Sequence, residues 1–263
     1  MTVELDRKKI NYAKAGKGNC IIFLHGFLEN LTIWDDFAAE LADDYKVIQI
    51  DLPGHGLTDV FGKIHSMTLM ASAVNTVIEK EGIHDAIIVG HSMGGYVALE
   101  YAKIFSHVVK GVCLFNSSAI ADSKIKKDER NRVAKLMQRN AAHFIEEAIP
   151  HLFTPANQIK LKALIDELVH EAKQNPVDGI IACTLGMRDR EDSLAYLKTI
   201  KFPLLFIVGR QDPIIPFEKY KEQFFASDLI NVYVSAHCGH MGFIEDRDGT
   251  FDSLKNFISY CWE

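Results

Sequence analysis

No stretch of this chain is apolar for long enough to span a bilayer, so an integral helical membrane protein is not expected. The opening residues mix Glu4, Asp6, Arg7, Lys8 and Lys9 with a few apolar side chains, where a secretory signal needs a basic stretch and then an uninterrupted apolar run. Basic stripes and arginine-rich tracts are missing as well, and at a net charge of −6 the surface offers nothing to a phosphate backbone. Nucleic acid and membranes are therefore not expected partners. The five cysteines, Cys20, Cys113, Cys183, Cys238 and Cys261, form no CxxC pair; they are odd in number and widely spread. Reduced thiols fit this better than a disulfide framework, and a cytoplasmic address is the expectation. Low-complexity linkers and internal repeats are absent too.

What is present is enough apolar material for a sizeable core: 263 residues, 48% hydrophobic and 24% charged. Short β-branched-rich runs ending in turn residues recur at 20–24, 46–50, 86–89, 109–115, 203–208 and 231–234, and read as buried strands. Helical apolar spacing occupies 31–41, 68–81, 93–105, 217–225 and 249–260. Strand and helix alternate, which predicts an α/β fold with a mostly parallel central sheet and helices on both faces. Residues 3–6 and 9–12 are expected to pair as a hairpin at one sheet edge. The alternation breaks over 120–198, where helical patterns at 131–140, 142–152, 158–174 and 177–187 replace strands. The core is thus assigned to 1–119 and 199–263, with 120–198 as an inserted helical cap. The charged stretch that opens the insertion, 122–132, is expected to be a solvated helix face.

Gly90-His91-Ser92-Met93-Gly94 has the form G-x-S-x-G, directly after one strand and directly before a helix. A serine on so tight a turn strains its backbone, and only small residues two before and two after it leave room, hence Gly90 and Gly94; Gly95 removes more bulk. The turn exposes the Ser92 hydroxyl at the positive end of a helix, where developing negative charge is favoured. A serine at its ordinary pKa needs a base. Only His237 and His240 follow the last strand, in a loop made flexible by Gly239 and Gly242, and His240 is chosen because His237 lies nearer the strand end. A metal held by His237, Cys238 and His240 would need a further ligand cluster, and none stands nearby in sequence. The acid should leave the end of a strand between nucleophile and base, which selects Asp212 in Gly209-Arg210-Gln211-Asp212-Pro213; taken alone, Asp-Pro is also an ordinary turn. The other place for such an acid, after 109–115, is held by the uncharged Asn116. The oxyanion formed on attack needs two backbone N–H donors, and Met93 and Phe27 are the expected pair, with the second donor open by one residue either way.

Taken together, His25-Gly26-Phe27, Asp51-Leu52-Pro53-Gly54-His55-Gly56, Gly90-His91-Ser92-Met93-Gly94-Gly95, Gly209-Arg210-Gln211-Asp212 and Gly239-His240 resemble the α/β-hydrolase superfamily, nearly end to end. Within it the chain resembles the small capped esterases, enol-lactonases and C–C bond hydrolases. The resemblance implies a serine hydrolase that cleaves a small to medium carboxylic ester through an acyl-enzyme, with Ser92, His240 and Asp212 as its triad and no metal or organic cofactor. It implies a pocket between cap and core, lined from Phe27, Leu28, Met93, Phe144, Leu152, Met187, Ile214 and Met241, in a monomer or homodimer. Arg210 is the only cation beside the motifs, so a strongly anionic substrate is not signalled. A C–C hydrolase or a lactonase would use the same residues, and a slow-turnover ligand sensor would keep them.

Overall fold

The apolar runs at Cys20–Leu24, Lys46–Ile50 and Val109–Phe115 become strands with those bounds, because each is buried and bounded by turn residues. The structure, a computed structural model, describes residues 1–263. Its strands are β1 (Thr2–Leu5), β2 (Lys8–Ala15), β3 (Cys20–Leu24), β4 (Lys46–Ile50), β5 (Ala86–His91), β6 (Val109–Phe115), β7 (Leu204–Gly209) and β8 (Ile230–Ser235). They form one sheet in the order β1-β2-β4-β3-β5-β6-β7-β8. β1 and β2 are the expected edge hairpin, turned by Asp6 and Arg7 at φ of 51° and 62°, the pair of positive values that a tight two-residue hairpin turn requires. β2 also pairs antiparallel with β4, and every later pairing is parallel.

Alternation along the central strands divides the core into two layers. Ile22, Leu24 and Ile88 face α2 (Met67–Lys80) and α3 (Met93–Ile104). Ile21, Phe23, Ile87 and Val89 face α1 (Asp35–Leu41) and, late in the chain, a helix at Arg247–Trp262. After β3 the chain goes to one side, to β4, then crosses back to β5 on the other side of β3. The loops leaving β3 and β5 therefore diverge, and the crevice between them is where open α/β sheets bind ligands.

Between β6 and β7 lie α4 (Lys124–Ala148), α5 (Pro155–Lys160), α6 (Lys162–Ala172), α7 (Val177–Asp189) and α8 (Leu194–Leu197). After β7 come α9 (Phe217–Tyr220), then α10 (Gly242–Glu245) and α11 (Arg247–Trp262). α4 bends at Asn140, whose side chain accepts the His143 N–H and so caps the second half; this is the break between the two helices expected at 131–140 and 142–152. The single helix expected over 158–174 is instead two, parted at Leu161.

α7 rests directly on the core. His65 N–H donates to the Ala182 carbonyl at 3.0 Å, and a Cβ on Gly186 would overlap the His65 carbonyl. The contact buries His25, His55 and His65, with Cys183 Sγ 3.2 Å from His65 Nδ1. Burial pushes His65 down to about 4 and lowers His25 and His55 as well. A base whose folded pKa is depressed takes up its proton more readily when the chain unfolds, so stability falls as pH drops below the ordinary imidazole range and levels off near the folded value. Between pH 7 and pH 4, His65 alone is expected to cost the fold about 3 kcal/mol. Urea denaturation at a series of pH values reads this directly. In His65→Gln the slope should be shallower, and an unchanged slope would assign it to other groups.

Candidate active site

Ser92 occupies the one-residue turn from β5 into α3, at φ 47° and ψ −110°, a region that costs a non-glycine residue about 1–3 kcal/mol. Its neighbours make that turn possible. A Cβ on Gly90 would sit 2.3 Å from the Gly94 carbonyl oxygen, and one on Gly94 would sit 2.4 Å from the Leu24 carbonyl oxygen. Gly95 lies equally tight against the Ser117 side chain. The Ser92 N–H donates to Phe115 and its carbonyl accepts from Ser117 Oγ, which fixes the strained turn against β6 and the loop beyond it.

His240 and Asp212 converge on Ser92 from the loops after β8 and β7. His240 Nε2 lies 2.9 Å from Ser92 Oγ, and His240 Nδ1 lies 2.8 Å from Asp212 Oδ2. The His240 backbone is held at both ends, its N–H donating to Leu152 of the insertion and its carbonyl accepting from His91 Nε2. Asp212 Oδ1 accepts the N–H groups of Ile214 and Ile215, both at 2.8 Å, and Oδ2 also accepts from Asn116 Nδ2 at 3.2 Å. Burial would raise this carboxyl, but attraction to His240 and these hydrogen bonds keep it below the usual carboxylate range. His237, by contrast, is exposed.

The loop after β3 supplies three consecutive amides. Gly26 donates to the Glu29 carboxylate and Leu28 to His55 Nε2, while the Phe27 N–H between them has no acceptor within the protein. The Met93 N–H, at the start of α3, is likewise unclaimed. Glu29 and His91 were not expected at the site. Both are buried, and Glu29 Oε2 lies 3.0 Å from His91 Nδ1. Burial opposes both charges, yet their mutual attraction holds the Glu29 carboxyl below its ordinary range and the His91 imidazole above its own. This ion pair ties the β3 loop, through Gly26, to the His240 backbone, through His91. No sequence pattern marks Glu29 except a carboxylate three residues beyond His25-Gly26.

Above Ser92 and His240 lies a cavity of about 470 Å³. Phe27, Leu28, Phe144, Leu152, Met187 and Ile214 are on its wall. Met241, expected there, is not. Its side chain is buried in the core layer that also holds Trp34, Phe115 and Phe243, and it borders a separate small crevice beside Leu28. The Met93 side chain is also core, leaving only its backbone near the site. Arg210 is on the surface, paired with Glu218 and lying over the Phe217 ring.

The charged stretch at the start of α4 is not simply a solvated face. Lys126, Glu129 and Arg130 line the cavity, and Asp122 is buried between Arg130 and Arg190. The i, i+4 spacing of Lys126 and Arg130 places both on one side of α4. Which side faces the cavity depends on how α4 docks.

A family model described as the alpha/beta hydrolase fold matches residues 19–247. In sequence the chain is similar to the dihydrolipoyllysine-residue acetyltransferase component of the acetoin cleaving system of Cupriavidus necator, 28% identical over 97% of this chain and 68% of that protein. It is also similar to the AB hydrolase superfamily protein YisY of Bacillus subtilis, 28% identical over 92% of each. In structure it is similar to a thermophilic esterase from Thermogutta terrifontis, solved with malate bound. The TM-score is 0.93 at 27% identity, covering 99% of this chain and 97% of that one.

Proposed function

Because the chain belongs to the α/β-hydrolase family, we propose that it is a serine hydrolase that cleaves a small to medium carboxylic ester through the triad Ser92, His240 and Asp212. The observation that carries this is the continuous relay from Ser92 Oγ to His240 Nε2 at 2.9 Å and from His240 Nδ1 to Asp212 Oδ2 at 2.8 Å. Ser92 Oγ attacks the ester carbonyl while His240 Nε2 takes its proton. The carbonyl oxygen becomes an oxyanion, which the free N–H groups of Phe27 and Met93 receive. Collapse expels the alcohol, which leaves with the proton from His240. Water then attacks the acyl-enzyme with His240 again as base, and the acid departs from Ser92.

Residues 120–198 act as a cap over the core formed by 1–119 and 199–263, and supply Phe144, Leu152 and Met187 to the cavity. The similarity to the Thermogutta terrifontis esterase supports an ester over a cyclic ester or a carbon acid, which the same residues would also serve. An alkyl phosphonate carrying a good leaving group tests the assignment. One equivalent should label Ser92 and abolish hydrolysis, and peptide mapping reads the site. Label on another residue, with activity lost, would move the nucleophile elsewhere. Many turnovers per molecule on a simple ester distinguish an enzyme from a slow ligand sensor, which would stop near one.

A further inference from the structure

The cavity that holds Ser92 is lined by apolar side chains from the core and, from the start of α4, by Lys126, Glu129 and Arg130. Asp122 is buried with its side chain 1% exposed, and two guanidinium groups close on it. Arg130 Nε bonds its Oδ2, and Arg190 Nη1 lies 2.8 Å from its Oδ1. Arg190 also stacks on the Tyr96 ring at 4.0 Å, and Tyr96 is one helical turn past Ser92 on α3 and lines the same cavity. Lys126 stands beside this group with only a neutral partner, the Ile214 carbonyl at 3.2 Å. One carboxylate thus faces three cations, and the cluster holds an excess of two positive charges. The acidic residues on the same wall, Glu129 and Glu147, are solvent-exposed, so water screens them, while Glu29 is neutralised by His91.

We propose that this hydrolase takes esters bearing an anionic group, a carboxylate or its equivalent, which Lys126 and Arg130 hold while Ser92 attacks the ester carbonyl. The inference rests on the serine hydrolase reading and names its substrate class. A half-buried ammonium bonded to a neutral carbonyl, beside two guanidinium groups that share one carboxylate, lacks a counter-charge. An anion placed against it supplies one and gains charge-assisted hydrogen bonds. Burial and the nearness of Arg130 already pull the Lys126 ammonium below the ordinary lysine range, which bound negative charge would reverse. Phe27, Leu28 and Ile214 on the same wall offer apolar surface to a methylene chain joining anion to ester.

The test compares ethyl esters of equal chain length ending in a carboxylate, a methyl group or an ammonium, together with acetate esters carrying the same ends on the alcohol. Wild-type kcat/KM is expected to be about tenfold or more higher for the carboxylate-ended ester, on one side of the ester bond or the other, than for its neutral isostere. Lys126→Met should remove most of that preference, mainly through a raised KM for the carboxylate-ended ester, and be rescued in part by Lys126→Arg. Raised salt should erode the preference in the wild-type protein, a readout that needs no variant. Equal rates for charged and neutral esters, or a preference for the ammonium end, would overturn the proposal while hydrolysis of the neutral ester left the serine mechanism standing. Failure of every ester, with no phosphonate label on Ser92, would instead overturn the serine hydrolase reading.

Discussion

Ser92→Ala is expected to lower turnover of an activated short-chain ester roughly 10⁴- to 10⁶-fold while the protein stays folded. The side chain removed is a single hydroxyl, and its one close partner is His240 Nε2. The turn does not rely on it, being held by the Ser92 N–H on the Phe115 carbonyl, by the Ser117 hydroxyl on the Ser92 carbonyl, and by the small neighbours Gly90, Gly94 and Gly95. Residual activity comes from whatever Phe27, Met93 and the cavity walls still do for an attacking water. Alanine keeps a Cβ and therefore keeps the strain at φ 47°. Ser92→Gly should be equally inactive and more stable by about 1 kcal/mol, since relief of that strain exceeds the entropy cost of glycine. Steady-state kinetics and urea denaturation of the two variants separate the effects. Undiminished turnover in Ser92→Ala would remove Ser92 as nucleophile, and a less stable Ser92→Gly would remove the claim of strain.

Asp212→Asn is expected to lower kcat about 10⁴-fold with little change in KM. The direction follows from the four bonds that the carboxylate accepts. Oδ1 is occupied by the Ile214 and Ile215 amides, so an asparagine would keep its carbonyl oxygen there. Its NH₂ would then take the place of Oδ2 and face His240 Nδ1 and Asn116 Nδ2, both of which donate in the native protein. His240 would have to carry its proton on Nε2 to avoid donor against donor, and that nitrogen is the one that must take the proton of Ser92. The imidazole would stay in place as the wrong tautomer. A loss of less than tenfold would show that Asp212 does not set the tautomer.

The three residues of the proposed triad were legible one by one because each sits in a short motif with its own backbone requirement. Ser92 needs small residues on both sides of a strand-to-helix turn, Asp212 follows a buried strand, and His240 follows the last strand in a glycine-bearing loop. Asn116 is a more involved case. In sequence it mattered as the absence of a rival acid, while in the structure its amide donates to Asp212 and to the Gly239 carbonyl, holding together the loops that carry Asp212 and His240.

Other features were hidden for a common reason. Met241 adjoins His240 in sequence, but the turn into α10 sends its side chain into the core. Glu29 and His91 lie far apart along the chain and become an ion pair only because β3 and β5 are neighbours in the sheet. The charged start of α4 has the composition of a solvated face, and only the docking of α7 brings Arg190 across to Asp122 and turns Lys126 and Arg130 toward the cavity. Sequence by itself determined the fold, the helical stretch between β6 and β7 and the loops that carry Ser92, Asp212 and His240, since these rest on local periodicity and on steric demands within a few residues. Only the tertiary structure decided the charge and lining of the cavity, since a side chain's electrostatic surroundings are set by whichever elements pack against it.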